Sequence, residues 1–194
     1  MSKLLYGVGD VCGLPTRIDK QTMRPEYTLW SNMLSRCYGE KTQSRQPTYV
    51  GCTVSENFKS FKFFIEWCEQ QKGYGKKNWA LDKDLLVKGN THYSEDTCVF
   101  LPRLINQVIT PCTKRKSNLP IGVNYTNGVD DSKGYLSVIR CYGKYVRLLK
   151  SDDMEECMKV YAYKKSEYIK ELAEIYKQEL DYRAYNALIS YEVY

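Results

Sequence analysis

Apolar residues along this chain recur with two periods, one helical and one strand-like. Over residues 25–38, Tyr27, Trp30, Leu34, Cys37 and Tyr38 share one helical face, Pro25 opens the run and Gly39 follows it, so a helix is predicted there. A second helix is predicted over about 55–71, where Phe58, Phe61, Phe64, Ile65 and Cys68 recur at helical spacing beside Trp67. Residues 1–22 read as a Gly/Asp/Pro loop region, 39–48 as a polar loop and 49–54 as a short strand. Residues 79–86 alternate apolar with charged side chains and predict a half-buried strand, with a turn at 87–90. A short apolar strand over 98–101 runs into a helix that Pro102 opens and that continues to Ile109.

Residues 110–120 carry two prolines and the run Lys114-Arg115-Lys116, the pattern of a linker. Three strand-like segments follow, 121–125, 135–141 and 144–150, joined by Thr126-Asn127-Gly128 and Tyr142-Gly143. A long helix is expected to finish the chain, with Asp152, Asp153, Glu155 and Glu156 near its start and Met154, Cys157, Tyr161, Tyr168, Leu172, Ile175 and Tyr176 as its apolar stripe. The class predicted is α+β in two parts, residues 1–110 and 121–194, around a linker at 111–120.

Composition narrows the picture. With 43% apolar and 27% charged residues among 194, the chain has an ordinary globular balance. Its net charge is +6, and residues 151–194 carry net −4, which leaves +10 on residues 1–150. A basic body of this kind favours a polyanionic partner. Eighteen tyrosines against five phenylalanines supply flat rings with a polar tip, suited to sheet faces and to base stacking. The eight cysteines form no C-x-x-C pair and His92 is the only histidine, so zinc fingers and two-histidine metal sites are excluded and reduced, mostly buried thiols are expected. No secretory signal or membrane span is read, so the expectation is a cytoplasmic protein without a membrane partner.

The stretch Ile121-Gly122-Val123, Tyr135-Leu136-Ser137-Val138-Ile139-Arg140, Tyr145-Val146-Arg147-Leu148 and Asp153-Met154-Glu155-Glu156-Cys157 with Tyr161 resembles the ethylene-response-factor (Apetala-type) DNA-binding domain. Leu149 and Cys157 depart from that family's Gly and Ala. The resemblance implies a three-stranded sheet that enters the major groove of double-stranded DNA, a β-ribbon mode of readout. It assigns contacts to Arg140, to Tyr135 in place of a family Trp, and to Arg147; Lys144 and Lys150 are further candidates for holding phosphates, and Lys114, Arg115 and Lys116 of the linker for nucleic-acid binding. Simple alternation puts Tyr135 and Arg140 on opposite strand faces, so a bulge or strong twist is needed to use both.

Residues 81–106 run strand, loop, strand, helix, an order similar to the ββα-metal core of phage HNH homing endonucleases, which often carry an Apetala-type module after it. That resemblance implies a general base and a Mg²⁺- or Mn²⁺-type ion. Asn106 matches the family's helix residue. The family's histidine is replaced by the run Leu81-Asp82-Lys83-Asp84, with His92 about eight residues further on in a loop. The candidates are therefore Asp82 and Asp84 as cation ligands from one strand face, and Asp84, His92 and Asn106 as catalytic groups. Three readings follow: a metal-dependent DNA endonuclease of phage type, a DNA-binding or regulatory protein with a vestigial nuclease core, and a phage-encoded inhibitor of a host protein that acts in the host cytoplasm.

Overall fold

The structure is a computed structural model that describes residues 4–110 and 118–193. It is mixed α+β and divides into two compact units, Met1–Arg103 and Leu104–Tyr194. Part of the expected linker, residues 111–117 with Lys114, Arg115 and Lys116, lies outside the described residues.

In the first unit α1 (Pro25–Tyr38) runs as its pattern predicts, from Pro25 at its first position to Gly39 at its C-cap. The expected polar loop after it contains a short helix, α2 (Glu40–Arg45), and a 3₁₀ turn at Pro47–Tyr49. The single helix expected over 55–71 is instead two, α3 (Glu56–Lys59) and α4 (Phe61–Glu69). The N-terminal loop causes the break. The N–H of Asp10 donates to the Lys59 carbonyl at 2.9 Å and the N–H of Phe61 donates to the Asp10 carbonyl at 2.9 Å, so groups that a continuous helix would use internally are spent on the loop. Ser55 and Ser60 each accept a backbone N–H three residues on, from Phe58 and Phe63, and so cap both helices.

The core of this unit is aromatic. Trp30, Phe58, Phe61 and Phe64 are fully buried, Trp67 nearly so, and the Trp30 indole donates to the Phe58 carbonyl at 2.7 Å, so its one polar atom has a partner. Gly9 packs so close to this core that a Cβ there would stand 2.4 Å from Leu34 and 2.8 Å from Trp30. Two small sheets complete the unit. β1 (Thr53–Val54) pairs in parallel with β3 (His92–Tyr93), and β2 (Trp79–Asp82) pairs antiparallel with β4 (Val99–Pro102). The expected strand over 79–86 therefore ends at Asp82, and His92, expected in a loop, sits on a short strand.

β4 leads directly into α5 (Arg103–Ile109), most of which belongs to the second unit. There β5 (Val123–Tyr125), β6 (Tyr135–Cys141) and β7 (Lys144–Ser151) form an antiparallel sheet in the order β5-β6-β7, within one or two residues of the predicted segments. α6 (Met154–Ile175) follows, its N-terminus capped by Asp153, which accepts the Glu155 N–H at 2.8 Å. The long final helix of the sequence pattern stops here, and Asp181 caps a separate α7 (Tyr182–Ile189). Leu180, Ala184 and Leu188 are buried together with Tyr168, Ile169, Leu172 and Ala173 of α6, which form the core of this end of the unit. Among the described residues no helix is long and apolar enough to cross a membrane. The described cysteines are free thiols, buried except for exposed Cys12 and half-buried Cys141.

Candidate nucleic-acid interface

The sheet of the second unit has two unlike faces, and the register says which residue lies on which. Val123 pairs with Ser137, Asn124 with Leu136 and Tyr125 with Tyr135. On β6, Ser137 and Ile139 are buried on the side toward α6, while Arg140, of opposite parity, is exposed. Across the hairpin Arg140 faces Tyr145, Ile139 faces Val146 and Val138 faces Arg147. The ladder then slips. Ser137 pairs with Leu149, so Leu148 is an extra residue on β7, a β-bulge.

That bulge decides the composition of the outer face. Arg147 and Lys150 are three residues apart, and in a regular strand an odd spacing would place them on opposite sides. With Leu148 inserted, Lys150 returns to the side of Arg147, opposite Leu136, and joins Arg140 and Tyr145 there. Arg140, Tyr145, Arg147 and Lys150 are all exposed, and the three strands carry no acidic residue. The result is a cationic outer face with one aromatic ring, Leu136 and Val138 half-buried between the charges, and Asn124 on the neighbouring strand.

A second set of contacts fixes the tip. Tyr142 and Gly143 form the two-residue loop between β6 and β7 with φ of +50° and +79°, the left-handed pair that suits the twist of a tight hairpin. Glycine adopts this readily, but tyrosine does so at a cost. The supports lie on α6. The Tyr142 N–H donates to the hydroxyl of buried Tyr168 at 2.8 Å, the Tyr142 hydroxyl donates to Glu171 at 2.8 Å, and the two rings meet edge to face at 5.0 Å. Burial, with the Glu171 carboxylate beside it, pushes the Tyr142 phenol up to about 12. On the outer side the Arg140 Nε donates to the Gly143 carbonyl at 3.2 Å, and its guanidinium lies 5.7 Å from the centre of the Tyr145 ring. Arg140 is thus aimed by the turn and by β7.

Of the residues assigned to DNA by the sequence, Arg140, Arg147 and Lys150 come together on one face. Lys144 alternates to the other side but stands exposed at the hairpin end, and Tyr135 faces α6, its ring 5.9 Å from that of Tyr125. Uniting Tyr135 with Arg140 needs a bulge or strong twist; the bulge that is present lies on the neighbouring strand and leaves them on opposite faces. Tyr145 was not singled out by the sequence, although its parity with Arg147 was a usable signal. Tyr168 and Glu171 carried no such signal, because their contacts to the hairpin span 26 and 29 residues.

The nuclease candidates are differently placed. Asp82 ends β2 and is buried. Its Oδ1 accepts the N–H groups of Asp84 at 3.0 Å and Leu85 at 2.8 Å, turning the chain as an Asx-type cap, and burial raises its carboxyl above the ordinary value. Asp84 lies beyond the strand, so the two carboxylates do not share a strand face; its partner is the buried Lys83 ammonium, which also donates to the Asn90 carbonyl. His92 is exposed, with Nδ1 hydrogen-bonded to the Thr53 hydroxyl at 2.8 Å. Asn106 belongs to the second unit and accepts from the Thr110 hydroxyl at 3.1 Å. Mg²⁺ and Mn²⁺ need converging oxygen ligands. These side chains do not fit one, and among the described residues no group of three or more His, Cys, Asp or Glu is arranged to hold a metal. Comparison with protein-family models, curated proteins and solved structures finds no match to this chain.

Proposed function

We propose that the chain binds double-stranded DNA through the outer face of the β5-β6-β7 sheet. The observation that carries this reading is the bulge at Leu148, which gathers Arg140, Arg147 and Lys150 on one exposed face beside Tyr145. Arginine and lysine on a ribbon of this width can neutralise phosphates, and Arg140, held by Gly143 and stacked near Tyr145, is the residue best oriented to read a guanine edge. The resemblance to the Apetala-type domain points to the same face. Binding without cleavage is the preferred form, because Asp82, Asp84 and His92 are each engaged in local hydrogen bonds or ion pairs.

Fluorescence anisotropy with a labelled duplex at low ionic strength tests this directly. Wild type is expected to bind and the combined Arg140→Ala, Arg147→Ala, Lys150→Ala variant to lose binding while its circular dichroism is unchanged. Indifference of the wild type to duplex, or full binding by the triple variant, rejects the proposal. A supercoiled plasmid incubated in parallel with Mg²⁺ or Mn²⁺ is expected to stay intact, and nicking would favour the endonuclease reading instead.

A further inference from the structure

The sheet leaves one strand edge only partly covered. β5 pairs with β6 only at residues 135–137, the Val138 N–H reaches the Gly122 carbonyl at 2.8 Å, and among the described residues no strand accompanies β6 on that side from there to Cys141. In a two-residue hairpin the residues that flank the turn, here Cys141 and Lys144, exchange both backbone hydrogen bonds, and the next pair does not. The next pair is Arg140 and Tyr145, so the peptide N–H and C=O of Arg140 point away from β7, toward the edge that β5 leaves open.

A cavity of about 290 Å³ lies at this edge. Gln107 and Val108 of α5, Ile139 and Arg140 of β6, and Tyr161 and Lys165 of α6 contribute to its wall. Its wall mixes aliphatic and aromatic side chains with the polar Gln107, Thr110, Arg140 and Lys165, and its volume is near the lower end of the range usual for small-molecule sites.

Lys165 is the unusual member. Two other lysines of α6, Lys159 and Lys170, are ion-paired, with Glu155 and Glu167 one turn away on the exposed surface. Lys165 is half-buried and burial lowers its pKa. Among the described residues its only specific partner is the Tyr161 ring, 5.8 Å from the ammonium. An ammonium that has lost part of its hydration without gaining an acceptor is energetically incomplete, and an anion completes it.

We propose that this cavity is a binding site for a small organic acid, with its carboxylate or phosphate on the Lys165 ammonium and a compact apolar body against Tyr161, Ile139 and Val108. The open peptide group of Arg140 and the Gln107 amide supply the remaining polar contacts. The site is independent of the DNA reading and would hold its ligand whether or not the outer face meets a nucleic acid.

The test is an NMR titration of the full chain with phenyl phosphate and with benzoate, using phenol as the neutral probe of the same body. The acids are expected to give saturable shifts at the Val108 and Ile139 methyl groups and to bind at least about tenfold more tightly than phenol, the worth of one charge-assisted hydrogen bond. Lys165→Met is expected to bring the acids down to the affinity of phenol. In the wild type the Lys165 side-chain signals give a readout that needs no variant, since a bound acid must raise that lysine's pKa. Absence of saturable shifts at these methyl groups, equal binding of acid and phenol, a Lys165 titration unmoved by the acids, or undiminished acid affinity in a folded Lys165→Met chain would each overturn the proposal.

Discussion

Replacing Arg147 with alanine removes one of the three strand cations that the bulge brings to a common face, Arg140, Arg147 and Lys150. If each neutralises one phosphate, the logarithm of the binding constant falls with the logarithm of salt at a slope of about −2.7, since each contact on duplex DNA contributes about −0.9. Raising salt fourfold then weakens wild-type binding by about 40-fold, and the Arg147→Ala chain, with a slope of about −1.8, by about 12-fold. Lys150→Ala should give the same change in slope. Anisotropy titrations at several salt concentrations measure these slopes without any need to know the preferred sequence. Lys159 is the control: it is exposed on α6, pairs with Glu155, and is not part of the sheet, so Lys159→Ala should leave the slope unaltered. Equal slopes for wild type, Arg147→Ala and Lys150→Ala, or a loss with Lys159→Ala as large as theirs, would refute the assignment of this face.

The remaining predictions concern what holds the two units. Trp30→Phe strands the buried Phe58 carbonyl and leaves a void, and should cost about 2–4 kcal/mol in chemical denaturation. Tyr168→Phe removes the acceptor of the Tyr142 N–H and should cost about 1 kcal/mol while speeding hydrogen exchange at the hairpin tip. The raised carboxyl of Asp82 means that the folded chain holds its proton more tightly than the unfolded one, so this contribution to stability is lost as pH rises from 3.8 through the folded value; Asp82→Asn keeps an acceptor oxygen and should gain on the wild type over that rise, as read from denaturation midpoints. Among the described thiols, iodoacetamide should modify Cys12 first. Cys37 and Cys98, buried and pushed up to about 12, should react only on unfolding, as mass spectrometry of timed samples would show.

How far the sequence could be read depended on the range of the contacts involved. The helix at 25–38 and the strands at 135–141 and 144–151 were legible because alternation, helical spacing and Pro or Gly punctuation are local signals. The break at Ser60 was not, since it is made by Asp10, 50 residues away in sequence, reaching into the helix with two backbone hydrogen bonds. The end of β2 at Asp82 was hidden because apolar residues return at Leu85 and Leu86 after Asp82-Lys83-Asp84, while the first of these carboxylates caps a turn. At the candidate interface the basic residues could be named from the sequence, but their common face could not. Strict alternation separates Arg147 from Lys150, and no residue type in 144–151 announces the bulge that reunites them.

The extra residue at Leu148 has an evolutionary corollary. Loss of that single codon would leave every arginine and lysine in place and the net charge unchanged, yet would exchange the inward and outward roles of residues 149–151 relative to 144–147. A surface built in this way can be rewritten by a change in length as well as by a change in letter.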